Sequence, residues 1–434
     1  MMTTWFRTAG FALILLLVLC LLACSTPSII KPAPLPDIRQ TVQLVQTHQT
    51  YVGFGTLRQE LFYRPIITDD AIYINGYQGR IYVLDRQLRR RVHADLDVPV
   101  FSGLSKLNDQ LFLVTRTGYL LVFDLTESRV IKRIFVGGQV LHPPVFSEDG
   151  LLVFLQLNNG RLLAINTLTG KVRWNFVNNL PILKLRGTGK PLATDGLVYF
   201  GSSVGKIHAL HQATGNLIWE NFVSLPQGSD ELARMADVNS QPIVHENRIF
   251  IGNYQGKIAA YERFTGALLW SYNAGTYRDM LVDEQRLYVV TDQDHILALD
   301  QASGARIWQQ DQLAFRSLTS PDMTDQFLVL GDAQGYIHLI DRLHGRIMGR
   351  YRVSTSGIQA QPTVKFPEQK RLQQNISAPE PVIYVLSVDG FITRLQLAYT
   401  SQSVSSEPIL PPAQPVRPAI TAPTKSAAHI RDLF

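Results

Sequence analysis

The chain of 434 residues has two cysteines, and both fall within its first 24 positions. Cys20 lies inside an apolar run from about Ala9 to Leu22, and Cys24 follows that run. Removal of the run as a signal segment, with lipidation of the one cysteine left, is expected to give a mature chain with no disulfide and no thiolate for zinc, iron–sulfur or haem. Runs of like charge are also missing. The 41 basic and 35 acidic residues are interspersed, so the net charge of +6 offers no grip on a nucleic-acid backbone. The ten histidines are scattered without an H-x-x-x-H pair, which gives no metal-binding pattern. Helical periodicity is absent beyond the first segment. The apolar run itself is shorter than the about 20 residues that a spanning helix needs.

What is present begins at that N-terminus. Arg7 supplies a positive flank, and the run closes on Leu21-Leu22-Ala23-Cys24. A small residue before the cut and a cysteine after it form a bacterial lipobox, with Leu22 standing where a smaller residue is common. The division expected is a signal peptide over residues 1–23 and an acylated Cys24. The competing reading is an ordinary secretory signal with an accidental cysteine. Ser25, rather than Asp, after the acylated position resembles lipoproteins sorted to the outer membrane, facing the periplasm. Residues 25–38 are rich in proline and poor in charge, which predicts an extended tether, bounded here as residues 24–39.

The body of the chain repeats. Residues 72–85 (IYINGYQGRIYVLD), 198–210, 249–261 and 327–341 each read as an alternating apolar run, a glycine-bearing turn and a second alternating run. That is a β-hairpin. The unit recurs around Gly118, Gly160 and Gly390, and once more with Asp294 in the glycine position, giving eight copies. Asp tolerates a left-handed turn better than most residues. In four copies a second turn follows, with a tryptophan four residues after its glycine: Gly170 and Trp174, Gly215 and Trp219, Gly266 and Trp270, Gly304 and Trp308. Such a tryptophan can pack its large surface between neighbouring sheets. With the apolar stretch before each hairpin, every repeat supplies four strands at intervals near 40 residues. The fold class predicted is all-β, an eight-bladed β-propeller of four-stranded antiparallel blades over residues 40–399.

The eighth copy lacks its second turn and its tryptophan, while residues 42–52 form a strand with no hairpin of their own. Closure of the last blade by the N-terminal strand uses both leftovers and leaves no exposed edge. Residues 366–380 are expected to be an excursion within that blade. Residues 400–434, rich in Pro, Ser and Ala, read as a disordered tail.

Chemical motifs are few. Gly201-Ser202-Ser203-Val204-Gly205 matches the G-x-S-x-G elbow of hydrolases, but the elbow needs a strand-to-helix turn and this one joins two strands. Equivalent copies read NGYQG, GNYQG and GDAQG, without the serine. Asn375-Ile376-Ser377 is a glycosylation sequon that a bacterial lipoprotein does not use. The glycine-to-tryptophan units also resemble those of quinoprotein dehydrogenases. Those enzymes hold a calcium ion and a quinone with carboxylates, amides and commonly a cysteine pair, and the mature chain has no such pair. No catalytic residue, cofactor or metal is therefore expected.

Two connections between blades are enlarged. Gly160, Gly205 and Gly256 are separated by 45 and 51 residues, where most intervals are close to 40. In a four-stranded meander these connections emerge on one face, and two long neighbours make a natural docking patch. They contain Pro181-Ile182-Leu183-Lys184-Leu185-Arg186-Gly187 and Arg234-Met235-Ala236-Asp237-Val238-Asn239-Ser240-Gln241-Pro242. With the lipobox, eight blades, Leu318-Thr319-Ser320-Pro321, residues 331–336 and residues 354–357, these segments closely resemble the BamB family, the propeller lipoproteins of the β-barrel assembly machinery. The resemblance covers about residues 41–398 and implies a non-catalytic scaffold that aids insertion of β-barrel proteins into the outer membrane. It implies binding to the periplasmic POTRA domains of a BamA-like barrel protein through Leu183, Leu185, Arg186 and Asp237. Asn239 stands where the family has a second aspartate, which removes one charge. The expectation is one exposed patch of these residues on a single face. Two alternatives stay open: leucines that merely pack the loop with Arg186 paired internally, and a chain that binds unfolded outer-membrane proteins along an exposed blade edge.

Overall fold

The computed structural model describes residues 31–53, 64–76, 78–178, 189–225, 236–254, 256–366 and 380–399. Among them every regular element is a strand, and the strands form eight four-stranded antiparallel sheets. Blades I to VII take residues 66–95, 105–135, 145–177, 192–222, 243–272, 281–310 and 322–352 in chain order. Blade VIII takes Thr363–Lys365, Val382–Leu386 and Phe391–Tyr399, and its fourth, outermost strand is Val42–Tyr51. Val42 pairs with Tyr399 and Tyr51 with Phe391, with one irregularity between Gln46 and His48. The predicted closure is thus found. Residues 366–381 join two strands of this blade, as expected of an excursion, and 367–379 lie outside the described residues.

The sequence pattern explains the layering. The two middle strands of blades I to VII are largely buried and read as apolar runs, such as Leu197–Gly201 and Phe327–Gly331. Outermost strands alternate, as in Leu217–Phe222, where Trp219 is buried and its neighbours are exposed. No blade has a core of its own. Each apolar cluster is shared by two successive blades. Tyr73, Ile81 and Val83 of blade I pack with Leu111, Leu113 and Phe123 of blade II. The ring closes where Ile72, Ile74 and Leu84 of blade I meet Tyr384, Leu386 and Ile392 of blade VIII. Stability is therefore distributed over interfaces between repeats, and one blade alone would leave both of its apolar faces in water.

The tryptophans do what their spacing predicts. Trp174, Trp219, Trp270 and Trp308 each donate the indole N–H to a carbonyl of the next blade, on Gln212, Arg263, Gln301 and Arg342, at 2.7–3.0 Å. Each ring also covers the next glycine turn. A Cβ on Gly266 would lie 2.5 Å from Trp219, and Gly266 has φ +74. Blade II meets the same need with another residue. Lys132 pairs with Val122 as Trp174 pairs with Ala164, and its Nζ donates to Thr167 O at 3.0 Å. The hairpin turns behave alike: Asp294 adopts φ 61 in the place of glycine.

The tether expected at residues 25–38 is described from residue 31 onward, and this part lies against the propeller. Ala33 N donates to Ala314 O at 2.9 Å, Arg350 donates to Pro36 O, and Ile38 packs on the cluster between blades VI and VII. Composition predicted an extended conformation, and that conformation is what allows its carbonyls to be taken by propeller arginines.

Candidate interaction face

Connections between blades leave the outermost strand of one and enter the innermost strand of the next. The turn between the two middle strands lies on the same face: Val238 N donates to Ser202 O, and Ala333 N donates to Arg316 O. The described parts of both enlarged connections, residues 178, 189–191, 223–225 and 236–242, flank blade IV on this face.

Leu183, Leu185 and Arg186 lie outside the described residues. Asp237 and Asn239 are described, as are both ends of the first connection. A Cβ on Gly189 would lie 2.7 Å from Ser240 O and 3.1 Å from Asn239 O. The two connections are therefore in direct backbone contact, and glycine is the residue that permits it. Around this contact the second connection is locked. Tyr254 N of blade V donates to Asp237 O, and Val238 N reaches Ser202 O of blade IV, at 3.1 and 3.2 Å. Ser240 Oγ donates to Gly252 O and accepts from Gly252 N, both at 2.9 Å. Gln241 N donates to Asp279 Oδ1 of the following connection.

The exposure expected of Asp237 is not found. Its side chain is 1% exposed, whereas Asn239 is half-buried. A carboxylate costs too much to bury without compensation, so Asp237 acts within the protein rather than as a free surface charge. Sequence reasoning also missed a recurring device. Ser102, Ser240 and Thr319 each stand in a connection and accept the backbone N–H of Val114, Gly252 and Gly331, twelve residues further on. A small hydroxyl residue twelve positions ahead of the end of the second strand was the available signal.

Two buried histidines occupy equivalent places on third strands. His338 Nε2 is 2.9 Å from Asp332 Oδ2, which also accepts from Arg316 Nε and Nη2 at 2.9 and 2.7 Å. Burial pushes the Asp332 carboxyl up, but the bonds from His338 and Arg316 outweigh it and hold it below its usual range. In blade IV, His208 Nε2 is 3.0 Å from Ser202 Oγ, and its Nδ1 is 3.2 Å from Glu220 Oε2. The order serine, histidine, carboxylate is that of a nucleophile relay. Its environment is wrong for one. Ser202 and His208 are buried, Nδ1 is off the hydrogen-bonding direction to Glu220, and Ser202 Oγ already bonds Lys206 O. Burial holds the imidazole down to about 4, which opposes the cation that a proton-abstracting histidine must become. The cluster ties the turn of blade IV to its outer strand. Among the described residues no group of three His, Cys, Asp or Glu is placed to hold a metal ion.

Comparison with known proteins separates fold from family. Solved propellers of very different chemistry share the ring. BamB from Moraxella catarrhalis matches with a TM-score of 0.70 and 21% identity, over 81% of this chain and 99% of that one. Quinohemoprotein alcohol dehydrogenase from Comamonas testosteroni matches at 0.64 and 11%, over 81% and 76%. At such identities these similarities show the fold alone, which serves an assembly factor and an enzyme equally well. Sequence is more specific. The outer membrane protein assembly factor BamB of Nitrosomonas eutropha is 34% identical over 288 residues, 66% of this chain and 70% of its own length. The family described as outer membrane protein assembly factor BamB matches residues 108–310 and 248–390, which together include both enlarged connections. The chain belongs to the BamB family of outer membrane protein assembly factors.

Proposed function

We propose that this chain is a non-catalytic scaffold lipoprotein of the machinery that assembles β-barrel proteins in the outer membrane. It is acylated at Cys24, faces the periplasm, and docks the POTRA domains of a BamA-like protein through the connections on either side of blade IV. The observation that carries this reading is the backbone contact of Gly189 with Asn239 and Ser240, which makes one surface of two connections. Leu183, Leu185 and Arg186 are then the contacting side chains. An arginine among leucines suits an interface anchor, through charge-assisted bonds to carboxylates or carbonyls. Asp237, being buried, positions the second connection and does not itself reach the partner. The test is co-purification from detergent-solubilised membranes. Arg186→Glu should lose the partner while its melting temperature stays unchanged, and undiminished capture by an Arg186→Glu, Leu185→Ala double variant rules the interface out.

A second role is favoured by a different feature. The outer edges of blades IV and V expose Leu217, Ile218, Phe222, Leu268 and Leu269, an apolar rim beside unpaired strand edges. An extended, alternating apolar segment of an unfolded barrel protein would match that rim. Site-specific crosslinking from Leu269 should then capture many barrel precursors, whereas capture of a single defined protein assigns the rim to the scaffold.

A further inference from the structure

The chain enters the propeller by an indirect path. Ala33 bonds the VI–VII connection at Ala314, and its carbonyl accepts from Arg316 Nη1 at 2.9 Å. Pro36 O accepts from Arg350 Nη1 on the outermost strand of blade VII, also at 2.9 Å. Ile38 then packs on the cluster containing Leu313, Trp308 and Ile347, beside a crevice of ≈ 610 Å³ bordered by Gln310, Arg346 and Met348. Thr41 N donates to Met348 O, and the strand Val42–Tyr51 begins on the other side of the same outermost strand. The segment therefore passes around Ile347–Arg352, with Ala33–Ile38 on its blade VI side and Val42 on its blade VIII side.

The site that grips it is built rather than incidental. Arg316 is buried, and Asp332 and Gln334 fix its guanidinium so that Nη1 points at Ala33 O. Both arginines take backbone carbonyls, which a proline-rich strand leaves free because it has no internal hydrogen bonds. Ile38 supplies the only large apolar side chain between Ala33 and Gln40 besides Leu35.

We propose that the crevice between blades VI and VII is a clamp for the extended N-terminal segment, and that it sets how far the propeller stands from its membrane anchor. The second clause rests on acylation at Cys24. A chain free up to Thr41 spans at most about 60 Å from Cys24, whereas one gripped at Ala33 spans at most about 30 Å, at about 3.5 Å per residue. The clamp thus halves the reach and fixes the edge of the ring from which the anchor leaves. The ligand it takes is an extended proline-containing peptide, read through two carbonyls and one apolar side chain.

The test uses the full acylated chain and an Ala33→Pro, Ile38→Ser double variant, which deletes one donor and one apolar contact and leaves Arg316 and Asp332 untouched. Trypsin cleavage after Arg39 should be slow in the wild type and faster in the variant by roughly tenfold, because it follows the open population. In vesicles of phosphatidylethanolamine and phosphatidylglycerol, a fluorophore on Ala305→Cys, exposed on blade VI and outside the crevice, should transfer energy to a headgroup acceptor less efficiently in the variant. Equal cleavage rates and equal transfer would overturn the clamp. If the double variant melts lower, Ala33→Pro alone carries the same comparison. Cys24→Ser separates the two readings: it should abolish vesicle attachment and leave slow cleavage after Arg39, so loss of the anchor reading would not imitate loss of the clamp.

Discussion

Gly349 stands where blades III to VI carry a tryptophan, and the carbonyl oxygen of Val42 occupies the space: a Cβ on Gly349 would lie 2.3 Å from it. Four residues separate Gly345 from Gly349, as they separate Gly304 from Trp308. The blade that receives the N-terminal strand thus gives up its tryptophan so that a backbone can approach. Gly349→Ala should cost about 1–3 kcal/mol, the usual range for overpacking a tight site. Urea unfolding measures it, and Gly196→Ala, whose added Cβ meets nothing within 4 Å but whose φ of +75 strains any side chain, shows the cost of backbone strain without a clash.

The tryptophan interfaces should be individually expensive to break. Trp219→Ala is expected to cost about 3–5 kcal/mol, as for other large aromatics removed from a core. Gly266→Ala acts from the opposite side of the same contact. It combines a left-handed backbone with a clash on Trp219, and about 2–4 kcal/mol is expected from strain and overpacking together. Because the two changes share one interface, their effects should be less than additive in a double variant.

Acid should weaken the fold through blade IV. Burial first, then the approach of Lys206, lowers the His208 imidazole to about 4, while Glu220 acts in the other direction. A histidine kept neutral in the fold contributes stability that is full above its unfolded value of 6.5 and declines as pH falls toward 4. At 1.36 kcal/mol per unit the loss is of order 3 kcal/mol. Unfolding free energies measured across this window should fall with pH, and His208→Gln should flatten the slope. His338, also lowered by burial, retains its share.

Asp237 and Arg186 should separate stability from binding. Asp237 is buried and engaged, so Asp237→Ala should lower the unfolding free energy by about 1–3 kcal/mol and weaken partner capture with it. Arg186→Glu should weaken capture alone. Identical thermal profiles for Asp237→Ala and wild type would contradict the positioning role.

Acylation is checked directly. A fatty-acid analogue should label the wild type and leave Cys24→Ser unlabelled; equal labelling of both would remove the anchor.

Periodicity determined most of the architecture before any packing was known. Alternating runs, left-handed turn residues and the 40-residue interval are local properties, and they specify eight four-stranded blades. The unmatched strand at residues 42–52 and the truncated eighth copy specify closure, since a ring has one place for each. The lipobox likewise needs only neighbouring residues. Tertiary structure decided what depends on segments brought together from different blades and from the two ends of the chain. Lys132 replaces a tryptophan because its ammonium reaches the same carbonyl, which no spacing rule announces. Gly349 is small because Val42 arrives from the far end of the chain. Asp237 lies in a connection that composition marks as surface, yet it is buried where that connection is bonded to blade V at Asp237 and to blade IV at Val238. Residues 33–38 read only as an extended tether, because nothing in their own sequence shows that Arg316 and Arg350, about 300 positions away, hold their carbonyls.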